Sequence, residues 1–159
     1  MQVAHFALAT GEHDVARGIL TAALEGRLMA QVAADGRQPH ELARTRSFTY
    51  SLINLSGLLA LAELGRRAGI DYWGYPAMHG QPGVGRLRAA IDHLAPYADP
   101  HRPWPHQQIS PLKRSWLFTF LRQAQVLDGG RYGRAYDAWI RHLPAGEIER
   151  ERANLLWPC

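Results

Sequence analysis

Hydrophobic residues recur along most of this chain three and four positions apart, which is the spacing of one face of an α-helix. Turn signals such as Asp35-Gly36 and a proline-rich stretch over 96–111 interrupt the pattern. It predicts helices over about residues 1–10, 13–34, 45–68, 84–94, 112–127 and 132–143. No segment shows the strict alternation of a strand, so the sequence predicts an all-α chain of antiparallel helix hairpins.

The central helix differs from the others because it is apolar nearly all round. Its main apolar stripe consists of Phe48, Leu52, Leu55, Leu59 and Ala62. Further leucines lie off this stripe, which is typical of a helix buried by neighbours on most sides. One line breaks the pattern: Tyr50, Asn54 and Gly57 share a face by i,i+3 and i,i+4 spacing. This line predicts one wall of a site.

Amphipathic helices alternate with more deeply buried ones along the chain. An (α/α) toroid needs this alternation, because its inner helices are covered by outer helices while the outer helices face water. The length of 159 residues indicates a single domain with a real core. The sequence therefore favours an all-α fold that forms part of an (α/α) toroid.

The charged residues favour an anionic partner. Lys+Arg number 18 against 14 for Asp+Glu, and Lys113 is the only lysine. Arginine suits planar recognition of carboxylate or phosphate. Most arginines are scattered as on an ordinary solvated face, but Arg37, Arg44 and Arg46 cluster in the loop before the central helix. Nucleic acid is the least favoured partner, since the cations form no single stripe and no recognition motif is present.

Cysteine and membrane signals are weak. Cys159 is the only cysteine, so no intramolecular disulfide is possible. No uninterrupted apolar run is long enough to span a bilayer, and no basic segment followed by an apolar core marks a signal peptide in this chain. No cofactor is predicted. His79, His101, His106 and Asp99 lack the ligand spacing of a known metal site.

One stretch resembles a known family. Residues 35–51, DGRQPHELARTRSFTYS, and 69–73, GIDYW, are similar to motifs of the alginate lyase family of polysaccharide lyases. The resemblance extends to 1–17, to LAPYADP at 94–100 and to NLLWP at 154–158. It implies an (α/α) toroid and a periplasmic or secreted enzyme that cleaves an anionic uronic-acid polymer such as alginate by β-elimination, without a membrane partner.

The resemblance also implies roles for individual residues. Tyr50 matches the catalytic tyrosine, which acts as acid or as acid and base, and Arg44 matches an arginine near the substrate carboxylate. Arg46, Gln38 and Trp73 are weaker candidates for sugar contacts. A free phenol is a poor base at neutral pH, with a pKa of about 10, and a nearby cation favours its phenolate form.

Structural roles remain open for the same residues. A tyrosine that opens a buried helix is often a core residue whose hydroxyl binds a backbone group. Arg44 or Arg46 could pair with Glu41 as a structural latch.

The sequence departs from the family in one respect. The family's Asn-Asn-His motif, which supplies a carboxylate-neutralising asparagine and a base, occurs nowhere in this chain. We therefore expect residues 1–159 to be a partial domain that lacks its N-terminal half, with little or no lyase activity alone. Missing neighbours would leave apolar surface on Met1 to Thr10 and on the central helix. The alternative is a non-catalytic helical module that binds an anionic glycan or a protein.

Overall fold

The chain folds as a set of packed helices. The computed structural model describes residues 1–75, 85–127 and 130–141. The helices are α1 (Gln2–Ala9), α2 (His13–Ala23), α3 (Pro39–Leu42), α4 (Ser47–Arg67), α5 (Arg86–Leu94), α6 (Arg114–Leu127) and α7 (Gly133–Ile140). A π-helical segment, Leu24–Met29, continues α2, and a 3₁₀ turn, Ala95–Ala98, follows α5. Within these ranges there is no strand, and the prediction of an all-α fold is confirmed.

The core is built around α4, which packs against α1, α2, α3, α5 and α6. Its predicted stripe is buried, and Phe48, Leu52 and Leu55 have no exposed surface. Burial of a large apolar side chain contributes about 1.5–3 kcal/mol, so this helix is the main source of hydrophobic stabilisation. Helices α1 with α2, and α6 with α7, form hairpins on either side of it.

The predicted apolar surface is also present. Val3 and Phe6 on α1 are 63% and 69% exposed, and Ile53 on α4 is 51% exposed. By length and composition alone α4 could cross a membrane, but half of its most apolar window is buried inside the protein. Core helices commonly show the same combination of length and burial, so the composition of α4 does not indicate a membrane span.

The polar loop between α2 and α4 is fixed at both ends. Gly36 has φ +82°, and a Cβ there would fall 1.9 Å from the carbonyl oxygen of Ala89, so only glycine fits this turn. Pro39 opens the short helix α3. Its fixed φ suits the first position of a helix, where the missing N–H has no intrahelical partner to lose.

The proline-rich loop caps the N-terminus of α4. The backbone N–H of Ser47 donates to the Gln107 carbonyl at 3.2 Å, and that of Phe48 donates to the Gln108 side chain at 3.1 Å. The Trp104 indole N–H donates to the Ser47 hydroxyl at 2.7 Å. Because the loop supplies these partners, α4 begins at Ser47 and not at the predicted Thr45. The cap holds the first turn of α4, which carries Tyr50, in a fixed position.

Candidate active site

Tyr50 and Arg44 lie against each other at the start of α4. The guanidinium carbon of Arg44 lies 3.3 Å from the centroid of the Tyr50 ring. A guanidinium in this position is attracted to the electron-rich ring face. Tyr50 is partly exposed, and in the described part of the chain its hydroxyl has no hydrogen-bond partner. The alternative of a core tyrosine bonded to backbone is therefore not what the structure shows.

Arg44 is only loosely held by Glu41. Its Nη1 lies 3.5 Å from Glu41 Oε2, which is long beside the about 2.8 Å of a strong charge-assisted hydrogen bond. The Arg44 side chain is 50% exposed. The predicted latch to Glu41 is thus present for Arg44 in a weak form, and Arg44 keeps donors that point to solvent.

Asn54 lies one turn further along the same face of α4 and is held by Gln38. The Asn54 amide donates from Nδ2 to Gln38 Oε1 at 3.0 Å, which leaves Asn54 Oδ1 as an acceptor at the surface of α4. Gln38 is only 2% exposed. Since a sugar cannot reach a side chain buried this deeply, Gln38 is placed to orient Asn54. Sequence reasoning placed Asn54 on the Tyr50 face but did not give it a role in the site.

Arg46 does not stack on Tyr50. It is the exposed residue that precedes α4, and its side chain makes no ion pair or hydrogen bond with any residue in the described ranges. Its position outside the helix explains this, because helical i,i+4 spacing does not govern the side chain of an N-cap residue. Arg46 therefore remains a free cation at the edge of the site.

Arg37 forms an ion pair within the Asp35-Gly36 turn. Its Nε lies 2.6 Å from Asp35 Oδ2. The Arg37 backbone N–H also donates to this carboxylate, and together these contacts hold the pKa of Asp35 below its ordinary value. Of the three clustered arginines, Arg37 is thus committed to a local ion pair.

Trp73 is not brought to this site. It is 8% exposed and belongs to the hydrophobic core, and it lines a cavity with Ala62 and Arg66. Ala62 lies about 18 Å further along α4 than Tyr50, from the rise of about 1.5 Å per residue. The predicted sugar contact of Trp73 therefore does not fit a site at Tyr50, and the side chain serves as packing.

A groove of about 290 Å³ lies beside Asn54, one helical turn beyond Tyr50 on α4. Asn54 and Gly57 of α4 form one wall, and Arg27 and Gln31 form the other. Sequence reasoning missed Arg27 and Gln31. Their i,i+4 spacing was visible, but only the packing of the two helices shows that they face the polar line of α4.

Together these residues offer proton transfer and anion binding. A partly exposed phenol can donate or accept a proton, a guanidinium can bind a carboxylate, and an amide oxygen can accept from a sugar hydroxyl. Across the ranges that the structure describes, no group of three His, Cys, Asp or Glu side chains could hold a metal ion. His79 and the NLLWP segment lie outside the described residues.

Comparison with known proteins identifies the family of the chain. A solved alginate lyase from Bacteroides ovatus matches the structure with a TM-score of 0.78 and 31% sequence identity, over 98% of this chain. The chain spans 40% of the length of that protein. No curated protein sequence matches the chain. The family model described as alginate lyase matches residues 1–104. The resemblance seen in the sequence is confirmed, and the chain belongs to the alginate lyase family.

Proposed function

We propose that this chain carries part of the active site of a polysaccharide lyase that cleaves a uronic-acid polymer such as alginate by β-elimination. The observation that carries the proposal is the pair at the start of α4. Arg44 covers the ring of Tyr50 at 3.3 Å, while the Tyr50 hydroxyl has no partner among the described residues. Membership of the alginate lyase family supports the same class of reaction.

The reaction explains why this pair is needed. The C5–H bond breaks, its electrons form the C4–C5 double bond, and the C4–O bond breaks as the linked sugar leaves. The C5 proton is held tightly because it lies beside a carboxylate that already carries negative charge. An enzyme must therefore neutralise the carboxylate, accept the C5 proton and donate a proton to the leaving oxygen.

Tyr50 is the proton-transfer group in this proposal, as acid or as acid and base. Arg44 lies beside the substrate carboxylate with its outward donors and stacks on the Tyr50 ring. Asn54 accepts a hydrogen bond from a sugar hydroxyl, and Gln38 orients Asn54. Arg46 binds a carboxylate at the edge of the site.

The 159 residues alone should have little or no lyase activity. They contain Tyr50 and Arg44 but no Asn-Asn-His, so the carboxylate-neutralising asparagine and the histidine base are missing. For the full-length enzyme we propose a periplasmic or secreted location, as the resemblance to the alginate lyase family implies.

The test measures the ultraviolet absorbance of unsaturated uronate products from alginate and from polyglucuronate. It compares the chain alone with a longer polypeptide in which helices bearing Asn-Asn-His precede it. Tyr50→Phe in the longer polypeptide should lower activity by about 100-fold or more, because a general acid or base contributes that much. Tyr72→Phe makes the same chemical change at the far end of α4 and should keep most of the activity.

Two results would contradict the proposal. If the longer polypeptide folds but cleaves no uronate polymer, the lyase function fails and a non-catalytic glycan-binding module becomes the better explanation. If it cleaves and Tyr50→Phe behaves like Tyr72→Phe, the assigned role of Tyr50 is wrong.

A further inference from the structure

We propose that the groove beside Asn54 is a second subsite for an anionic sugar, in which Arg27 binds the carboxylate of a neighbouring uronate unit. This proposal rests on the proposed lyase function and extends the site along the polymer. The groove has a volume of about 290 Å³. Its lining consists of Ala23, Arg27 and Gln31 from the helix that begins with α2, of Asn54, Gly57, Leu58 and Leu61 from α4, and of Met1.

The groove begins about one helical turn beyond Tyr50 along α4. Asn54 lies four residues after Tyr50 on the same face of α4, about 6 Å along the helix axis, and Gly57 lies about 10 Å along it. This separation is comparable with the length of one sugar unit in a linked chain. A polymer bound with one unit at Tyr50 would therefore place the next unit against Asn54 and Gly57.

The π-helical segment keeps Arg27 and Gln31 in the groove. In a regular α-helix, residues four apart drift by about 40° around the axis, so three successive turns would move off one face. Here Ala23, Arg27 and Gln31 all line the groove. Residues Leu24, Leu28 and Val32, each one position later, are all buried, at 3%, 0% and 1% exposure. The wider π turn, Leu24–Met29, explains this four-residue period, and such segments often occur at functional sites.

The charge of Arg27 is available. Its side chain makes no ion pair or hydrogen bond with another residue of the described ranges, and it is exposed. Two other exposed arginines differ in this respect, since Arg37 pairs with Asp35 and Arg67 pairs with Glu63. An unpaired guanidinium beside an amide is well suited to a carboxylate, and a uronate polymer carries one carboxylate on every sugar.

The test measures binding of oligouronates of two to six units by isothermal titration calorimetry, with neutral oligosaccharides of the same lengths as reference. Arg27→Gln should weaken binding of the hexamer about tenfold, as expected when one charge-assisted hydrogen bond is lost. Arg17→Gln is the matched control, because Arg17 is an exposed arginine of α2 whose guanidinium, among the described residues, donates only to the Ala68 carbonyl at 3.4 Å. It should change the affinity less than twofold.

A second pair of variants tests the groove without changing charge. A Cβ at Gly57 or at Gly18 would meet nothing within 4 Å, so a side chain can begin at either position without a clash. Gly57→Leu would fill the groove and weaken hexamer binding, whereas Gly18→Leu, on α2 outside the groove, should not. Both changes improve helix propensity, so loss of folding would not explain a difference.

The outcomes separate this inference from the proposed function. If the wild-type chain binds no oligouronate, or binds neutral oligosaccharides equally well, the second subsite is wrong, and the cleavage assay on the longer polypeptide separately tests the proposed function. If it binds oligouronates but Arg27→Gln matches Arg17→Gln and Gly57→Leu matches Gly18→Leu, the second subsite is wrong and the proposed function stands.

Discussion

Tyr50 and Tyr72 lie near opposite ends of α4 and have opposite surroundings. At the N-terminal end, Tyr50 is partly exposed, lies under Arg44 and keeps its hydroxyl free of hydrogen bonds to the described residues. At the C-terminal end, Tyr72 is fully buried, and its hydroxyl donates to the Leu20 carbonyl at 2.6 Å. Burial raises the pKa of Tyr72 to about 12. The same phenol is therefore a candidate acid at one end and a fixed packing group at the other.

The surroundings explain the difference. Near Tyr50, loops supply cations and amides, and the proline-rich loop caps the helix without covering the phenol. Near Tyr72, Gly65 lets the ring lie directly on the α4 backbone, and the Gly65 carbonyl accepts from the Ile70 N–H at 2.8 Å. A small residue and buried contacts thus make the C-terminal end of α4 a tightly packed structural region.

Replacement of Gly65 should disrupt the packing of Tyr72 against the C-terminal end of α4 and produce the largest loss of stability. A Cβ at this position would lie 2.6 Å from Cδ2 of the Tyr72 ring, which is held by its own hydrogen bond and by the core. We expect Gly65→Ala to lower the free energy of unfolding by about 2 kcal/mol through overpacking, in a urea titration.

Gly57→Ala is the matched control on the same helix. Nothing lies within 4 Å of a Cβ there, so alanine should raise the free energy of unfolding by about 0.5–1 kcal/mol. If Gly65→Ala proved as stable as Gly57→Ala, the Tyr72 ring would be free to move and the C-terminal end of α4 would not be tightly packed.

Removal of each tyrosine hydroxyl should have a smaller effect on the free energy of unfolding than Gly65→Ala, and the effect should differ between Tyr72 and Tyr50. Tyr72→Phe leaves the buried Leu20 carbonyl without its side-chain donor, and we expect it to cost about 1 kcal/mol of unfolding free energy. Tyr50→Phe removes a hydroxyl without a described partner and should change stability by less than about 0.5 kcal/mol. Equal losses in urea titrations would show that Tyr50 also has a structural role.

The sequence predicted the parts of the fold that depend on apolar pattern alone. The all-round apolar surface of α4 indicated a central buried helix, and its single polar line indicated where the site would open. The motif around Tyr50 and Arg44 indicated the family. These features are local, so spacing along the chain was sufficient to find them.

The sequence did not predict features that depend on neighbouring elements. It offered both Arg44 and Arg46 as cations near Tyr50, and only the start of α4 at Ser47, which places Arg46 outside the helix, shows that Arg44 is the one that lies on the ring. It placed Gln38 and Trp73 against sugar, whereas packing buries both. Burial of a polar or aromatic residue is decided by which helices cover it, and one sequence does not contain that information directly.

The smallest expected effect concerns the arginines at the two ends. At the C-terminal end, Glu63 binds Arg66 and Arg67, each at 3.1 Å, whereas Arg44 is held only at 3.5 Å by Glu41. The hydrogen bond from Arg66, joined by that from Arg67, holds the pKa of Glu63 below its ordinary value of 4.5, although partial burial opposes this. A carboxyl whose pKa is lowered in the folded state stabilises the protein at pH values above its unfolded pKa. This stabilisation is lost as the pH falls through its folded pKa.

We therefore expect Glu63→Gln to lower the free energy of unfolding by up to about 0.5 kcal/mol at pH 7, as for exposed helical ion pairs. The difference from wild type should shrink below about pH 4.5, as the carboxyl takes up its proton, and should also shrink in high salt. Glu41→Gln is the control and should have no measurable effect at either pH. If Glu41→Gln destabilised the protein as much as Glu63→Gln, Arg44 would be a locked structural cation and less available to a substrate carboxylate than its 50% exposure indicates.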